Sequence, residues 1–213
     1  MHSELLVRAL SGISPETTVE EFQIRASIVS KSVAENILDF LSNNGIGSPS
    51  GGKILFSNAD RLRIAILALK MECDIEQISK QLTWKDFEGL TSSILKFSGY
   101  KTAINVTFMK PRIEIDVVGI KSQFAIAVDC KHWKYDSISL LSLYAKRQIE
   151  RTKILLVKRN NISSAVPIIL TLHSSKIRFI EGIPIVPITG FKSFLDELEE
   201  NLSGVYVLHS KDI

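Results

Sequence analysis

Two stretches restrict the fold most: residues 112–119, RIEIDVVG, and residues 124–133, FAIAVDCKHW. Both read as β-strands, joined by a short polar turn at Lys121-Ser122-Gln123. Side chains alternate faces along a strand. Asp129 and Lys131 therefore point to one side with Ala125 and Ala127. Phe124, Ile126, Val128 and Cys130 take the other. One face is thus bulky and apolar, while the other is narrow and ends in a carboxylate and an ammonium. Pairing of the two strands as a hairpin brings Asp116 beside Asp129. Two adjacent carboxylates and a lysine suit a divalent cation and a scissile phosphate. Carboxylates hold a hard cation, and phosphate oxygens complete its shell. The lysine offsets charge on the phosphate or positions the attacking water.

The remaining pattern divides into a helical part and a mixed part. Residues 4–11 read as a short helix, and Thr18 and Glu21 have capping-box spacing at the start of a second. Another helix runs from Ser32 to Leu41 and stops at Asn43-Asn44-Gly45. A turn cluster at residues 48–52 precedes a short strand at 53–56, and apolar helices follow over about 60–70 and 74–82. Helix, helix, helix, hairpin, helix is winged helix-turn-helix order. A helix from Trp84 to Gly99 leads into the two strands. A long helix spans about 137–156, and strands are expected at 165–172, 177–180 and 183–188. Pro184 and Pro187 favour an edge or end position for the last strand. An amphipathic helix covers 191–202. The expected fold class is α/β, or α+β overall: a mixed sheet flanked by helices behind a mostly helical winged-helix-like domain. The expected division is 1–82 and 83–213.

Apolar residues make up 45% of the chain, enough for a packed core. Two cysteines, Cys73 and Cys130, make no disulfide framework. The start Met1-His2-Ser3-Glu4 lacks the basic region of a signal peptide, and no apolar run reaches membrane-spanning length. A cytoplasmic setting without membrane contact is the expectation. Residues 1–83 carry 8 Lys and Arg against 10 Asp and Glu; residues 84–213 carry 18 against 13. The positive half is the half with the paired carboxylates, which suits a phosphate backbone as partner.

The order of a helix with Glu88, a strand with Asp116, a strand with Asp129-Cys130-Lys131 and then a helix resembles the PD-(D/E)xK nucleases. It is most similar to the Mrr-like branch, which includes restriction endonucleases and archaeal Holliday-junction resolvases. The segment Trp84-Lys85-Asp86-Phe87-Glu88-Gly89-Leu90 running to Gly99-Tyr100 fits the Phe-Glu helix of that family. The resemblance covers roughly residues 84–190. The chain departs from the pattern in having Ile115 where a proline often precedes the first aspartate. The resemblance implies a restriction-endonuclease-like sheet and a DNA endonuclease using Mg2+, with Mn2+ able to substitute. It implies Asp116 and Asp129 as metal ligands, Glu88 as a further carboxylate and Lys131 as the catalytic lysine. It also implies polar helpers on the helix after the lysine, where Lys146 and Gln148 stand.

Bland readings compete with several of these. Glu88 lies one position off an apolar stripe and is read either as a site residue or as solvated. Glu114 is a rival carboxylate or an exposed sheet residue. His132 is a general base or a strand-end contact, and Trp133 is a packing residue. Lys146, Arg147, Gln148, Arg151 and Lys153 form a candidate DNA surface or an ordinary solvated helix face. The helix from Ser32 to Leu41 carries Glu35 and Asp39, and a DNA-reading helix needs Arg, Lys, Asn or Gln. Dimerisation or protein contact is at least as good a use for it. A homodimer fits the cutting of two strands. The alternative to the nuclease is a non-catalytic DNA- or protein-binding regulator on a nuclease-fold platform.

Overall fold

A computed structural model describes residues 3–131, 137–172, 176–200 and 202–213. The chain divides into two compact units, Met1–Leu90 and Thr91–Ile213. That boundary falls inside a helix, α6 (Trp84–Phe97).

In the first unit, α1 (Ser3–Gly12), β1 (Glu16–Thr17), α2 (Val19–Arg25) and α3 (Lys31–Asn43) precede a hairpin of β2 (Ser48–Ser50) and β3 (Lys53–Leu55). Helices α4 (Asp60–Lys70) and α5 (Ile75–Lys80) follow. The capping box forms at α2: Glu21 N donates to Thr18 Oγ1, and Thr18 N donates to the Glu21 carboxylate. Helix α3 buries Ala34, Ile37, Leu38 and Leu41, an i, i+3, i+4, i+7 stripe. The strand order is β1-β3-β2, antiparallel throughout. The expected helix order is present, with two changes. Ser48–Ser50 is a strand rather than loop, and β1 is an addition too short to show a period in the sequence. Gly47 leads into the hairpin at φ +75°, and a Cβ there would stand 2.7 Å from the Phe56 ring, so only glycine fits.

Helix α6 (Trp84–Phe97) runs through the boundary into the second unit. There β4 (Lys101–Met109), β5 (Arg112–Lys121), β6 (Phe124–Lys131), α7 (Ile138–Lys158), β7 (Ser164–Thr171), β8 (Phe179–Ile180), β9 (Ile183–Pro187), α8 (Phe191–Glu200) and β10 (Leu208–His209) follow in turn. They build a seven-stranded mixed sheet in the order β4-β5-β6-β7-β9-β8, with β10 antiparallel to the start of β7. The pairs β4–β5 and β5–β6 are antiparallel, and β6–β7 and β7–β9 are parallel. A parallel pair needs a crossover, and α7 supplies it between β6 and β7. The proline-bearing β9 is one strand in from the edge, and β8 pairs only with its first two residues, Ile183 and Pro184.

Helix α7 covers one face of the sheet: its Leu155 and Leu156 pack with Val118, Ala125, Ala127 and Ala165. Its earlier Leu141 and Ala145 pack with Ile169, Ile183 and Ile185. The alanines of β6 therefore make room for a helix, and the narrow face is as buried as the bulky one. On α6, Thr91 meets Cys130 of β6, at 3.6 Å between Oγ1 and Sγ. Leu95 lies against Gly119, where a Cβ would come within 3.2 Å of it. Cys73 and Cys130 are both buried, and neither is bridged by a disulfide. No helix among the described residues is long and apolar enough to cross a membrane.

Candidate active site

The site is built where the ladder between β5 and β6 stops. Their ladder ends with Val117 opposite Val128, and Asp116 and Asp129 are the next residues beyond it. On the other side of β5, the pairing with β4 runs through Ile104 opposite Val117 and resumes at Val106 opposite Ile115. It omits Asn105 and Asp116, and Asn105 has a left-handed backbone at φ 54°. Residues three apart on a regular strand point to opposite faces. Ile115 and Val118 nevertheless join one cluster against Leu155 and Leu156 of α7. The alternation is disturbed between them without an added residue, since the β4–β5 register is the same on either side. Asp116 lies in this stretch, and its Oδ2 accepts a hydrogen bond from Cys130 N at 2.7 Å. That bond ties the first carboxylate to the strand bearing the second.

Asp129 is 2% exposed and meets two cations. Lys131 Nζ lies 2.9 Å from its Oδ1 and 2.8 Å from its Oδ2, and Arg151 Nη1 donates to Oδ1 at 3.0 Å. Asp129 and Lys131 share a face, as alternation requires. The Lys131 ammonium also stands 4.6 Å from the centroid of the Tyr144 ring on α7, a cation–π distance. A buried carboxylate needs such compensation, because desolvating an unpaired charge costs several kcal/mol or more.

Helix α7 contributes a polar stripe inside an apolar face: Tyr144, Gln148, Arg151 and Thr152 recur at helical spacing. Gln148 is fully buried, and its Nε2 donates to Ala127 O of β6 at 2.8 Å. It lies inside the fold and not on the proposed DNA surface, fastening α7 to the strand two residues before Asp129. Its Oε1 has no hydrogen-bond partner.

The other candidates scatter. Lys146 and Arg147 are exposed and line a surface cleft of about 300 Å³ with Ile113, Glu150 and Arg151. Lys146 also stands 3.6 Å from Glu181. Lys153 bonds Glu150 at 2.7 Å, and that bond holds its pKa above the usual lysine value. Glu114 is exposed and borders a second cleft, of about 340 Å³, with Thr107, Arg112, Ile113 and Arg151. Glu88 belongs to the first unit and is 4% exposed, so the solvated alternative for it is gone. His132 and Trp133 lie outside the described residues. Sequence reasoning missed Tyr144 as the seat of the lysine and Arg151 as a partner of Asp129. The signal for both was their position on the buried stripe of α7 rather than its exposed flank.

Among the described residues, no group of three or more His, Cys, Asp or Glu is arranged to hold a metal ion. The donor set is not a closed cage. The residue types of Asp116 and Asp129 do fit a magnesium-type site, in which one or two carboxylates hold the ion and phosphate and water complete the octahedron.

No family model matches the chain. An uncharacterized protein of Archaeoglobus fulgidus is 29% identical over 124 residues, covering 55% of this chain and 92% of that protein. The crystal structure of protein VC1899 from Vibrio cholerae aligns with 93% of this chain at 13% identity and a TM-score of 0.41. This chain spans half of that protein's length, as 50% of it is covered.

Proposed function

We propose that the second unit is a Mg2+-dependent endonuclease acting on DNA phosphodiesters. The observation that carries this reading is Asp116 and Asp129 just beyond the β5–β6 ladder, joined through the bond from Cys130 N to Asp116, with Lys131 on the second carboxylate. Asp116 and Asp129 would hold the ion, and Mn2+ would substitute for Mg2+. The ion, when bound, supplies a water of lowered pKa and a Lewis acid for the phosphate. Lys131, steadied by Tyr144, orients the attacking water and offsets charge as it grows on the phosphate. The carboxyl end of a strand in an open sheet is a usual place for a ligand. Glu88 is a further carboxylate of the resemblance, and Glu88→Gln tests it separately. Cutting of both strands would call for two copies of the chain.

The experiment is a nicking assay on plasmid DNA with Mg2+ or Mn2+, followed by labelled duplex, flap, junction and single-stranded substrates. Cleavage by the wild type, lost in Asp116→Asn and in Asp129→Asn, is expected. Undiminished cleavage by either variant would sink the site assignment.

One observation favours a second reading. Both oxygens of Asp129 are engaged by Lys131, and Oδ1 by Arg151 as well. A closed ion cluster of this kind also suits a regulator that binds DNA or protein without cutting. Duplex binding with no cleavage under either cation, on any of the substrates, would select it.

A further inference from the structure

The two cations on Asp129 are held very differently. Lys131 bonds both carboxylate oxygens, sits against the Tyr144 ring and is 13% exposed. Arg151 makes one bond, from Nη1 to Oδ1, and is 28% exposed. Its side chain borders both surface clefts beside the site. Thr107, Arg112 and Glu114 line one, Lys146, Arg147 and Glu150 line the other, and Ile113 is common to both. A guanidinium carries five donors in a planar fork that matches a phosphate bidentately. The bond to Asp129 takes one of them. A third positive charge on the same carboxylate edge would be repelled strongly in so dry a place. Lys131 is anchored, so Arg151 is the group that yields.

We propose that Arg151 is a gate coupling cation binding to DNA binding. It closes over Asp129 in the free protein. As a divalent cation binds, it turns into the adjoining clefts and takes a backbone phosphate. Glu114 borders one of those clefts and gives the guanidinium a resting partner while DNA is absent. The inference rests on the reading of Asp116 and Asp129 as cation ligands. By linkage, a cation that frees Arg151 raises DNA affinity, and DNA that captures Arg151 raises cation affinity by the same factor.

The test uses the full chain with Mn2+ as probe. Mn2+ affinity is measured by calorimetry without DNA, and duplex affinity by fluorescence anisotropy with and without Mn2+, the duplex being checked intact on a gel. Arg151→Met is expected to bind Mn2+ on the order of tenfold more tightly than the wild type. It is also expected to lose the gain in duplex affinity that Mn2+ gives the wild type. Equal Mn2+ affinities, or an equal gain in both proteins, overturn the gate while leaving the carboxylate reading intact. Wild-type Mn2+ affinity in Asp116→Asn and Asp129→Asn overturns the carboxylate reading, and the gate with it. Should Arg151→Met melt below the assay temperature, Arg151→Lys decides. Its ammonium lacks the fork and the reach, so tighter Mn2+ binding than wild type supports the gate and equal binding overturns it.

Discussion

Asp129 carries most of the consequences at the residue scale, because burial and pairing act on it together. The sequence alone leads one to expect that removing either aspartate relieves repulsion between carboxylates and leaves stability level or higher. The ion pairs reverse that expectation for Asp129. Truncation to alanine would strand the Lys131 ammonium and part of the Arg151 guanidinium without their counter-charge. Breaking a buried pair from one side costs about 3–5 kcal/mol, less where the partners reach water. Asp129→Ala is therefore expected to lose about 2 kcal/mol in urea denaturation, with Asp129→Asn losing less because it keeps one acceptor oxygen. A variant as stable as the wild type would show the cluster to be energetically idle. Lys131→Met separates binding from chemistry. Its role is assigned to the transition state, so single-turnover cleavage should fall far more than duplex affinity. A collapse of affinity with a normal rate on bound DNA would make Lys131 a backbone contact only. Asp129 and Lys131 were legible as a pair because β6 keeps a period of 2, and Asp116 as the carboxylate of the neighbouring strand. Arg151 was legible only as a charge. A helix face cannot be assigned inside or outside until its partner sheet is known.

The element that decides the site's geometry is the irregular stretch of β4 against β5. Asn105 has a left-handed backbone, a conformation tolerated by asparagine and glycine and costly for β-branched residues. It stands opposite Asp116, the residue that both neighbouring ladders leave out. Asn105→Val should thus destabilise the unit by about 1–2 kcal/mol. It should also lower cleavage by forcing β5 back toward regular pairing and turning Asp116 off its bond to Cys130 N. Asn105→Gly should keep both properties near wild type. Thermal melts and nicking rates of the pair decide it, and equal behaviour of valine and glycine would deny the irregular stretch any part in the site. No such irregularity can be read from the chain, since residues 104–108 alternate Ile, Asn, Val, Thr, Phe like any strand. That alternation was the available signal for β4, which the sequence reading lacked. Strand β10 had no signal at all: two residues pair with β7 through tertiary context alone. The long helices and the central strands were legible because their periods run for two turns or more.

Across the whole molecule, charge follows the division into units. Residues 1–90 hold 9 Lys and Arg against 12 Asp and Glu, a net of −3; residues 91–213 hold 17 against 11, a net of +6. Several cations of the first unit are already committed to exposed pairs: Lys31 with Glu20, Lys53 with Glu16 and Lys80 with Glu76. The hydrogen bond from Lys31 holds the Glu20 carboxyl below its usual range. Pairs this exposed add little to stability, so their lysines can be changed with small risk to the fold. In the second unit, Arg112, Lys146 and Arg147 border the clefts that adjoin Asp129. A side chain that neutralises a phosphate releases condensed counterions. Each such contact adds about 0.9 to the slope of log affinity against log salt on duplex DNA. The triple variant Arg112→Gln, Lys146→Gln, Arg147→Gln should therefore flatten that slope by about 0.9 per side chain that meets a phosphate, and weaken binding to all duplexes alike. The companion variant Lys31→Gln, Lys53→Gln, Lys80→Gln removes the same charge from the first unit and should leave the slope unchanged. Both are measured in the full chain, without divalent cations, on one labelled duplex. If the companion flattens the slope and the cleft variant does not, the helical unit is the DNA grip. The clefts beside Asp129 would then have to serve some ligand other than a phosphate backbone.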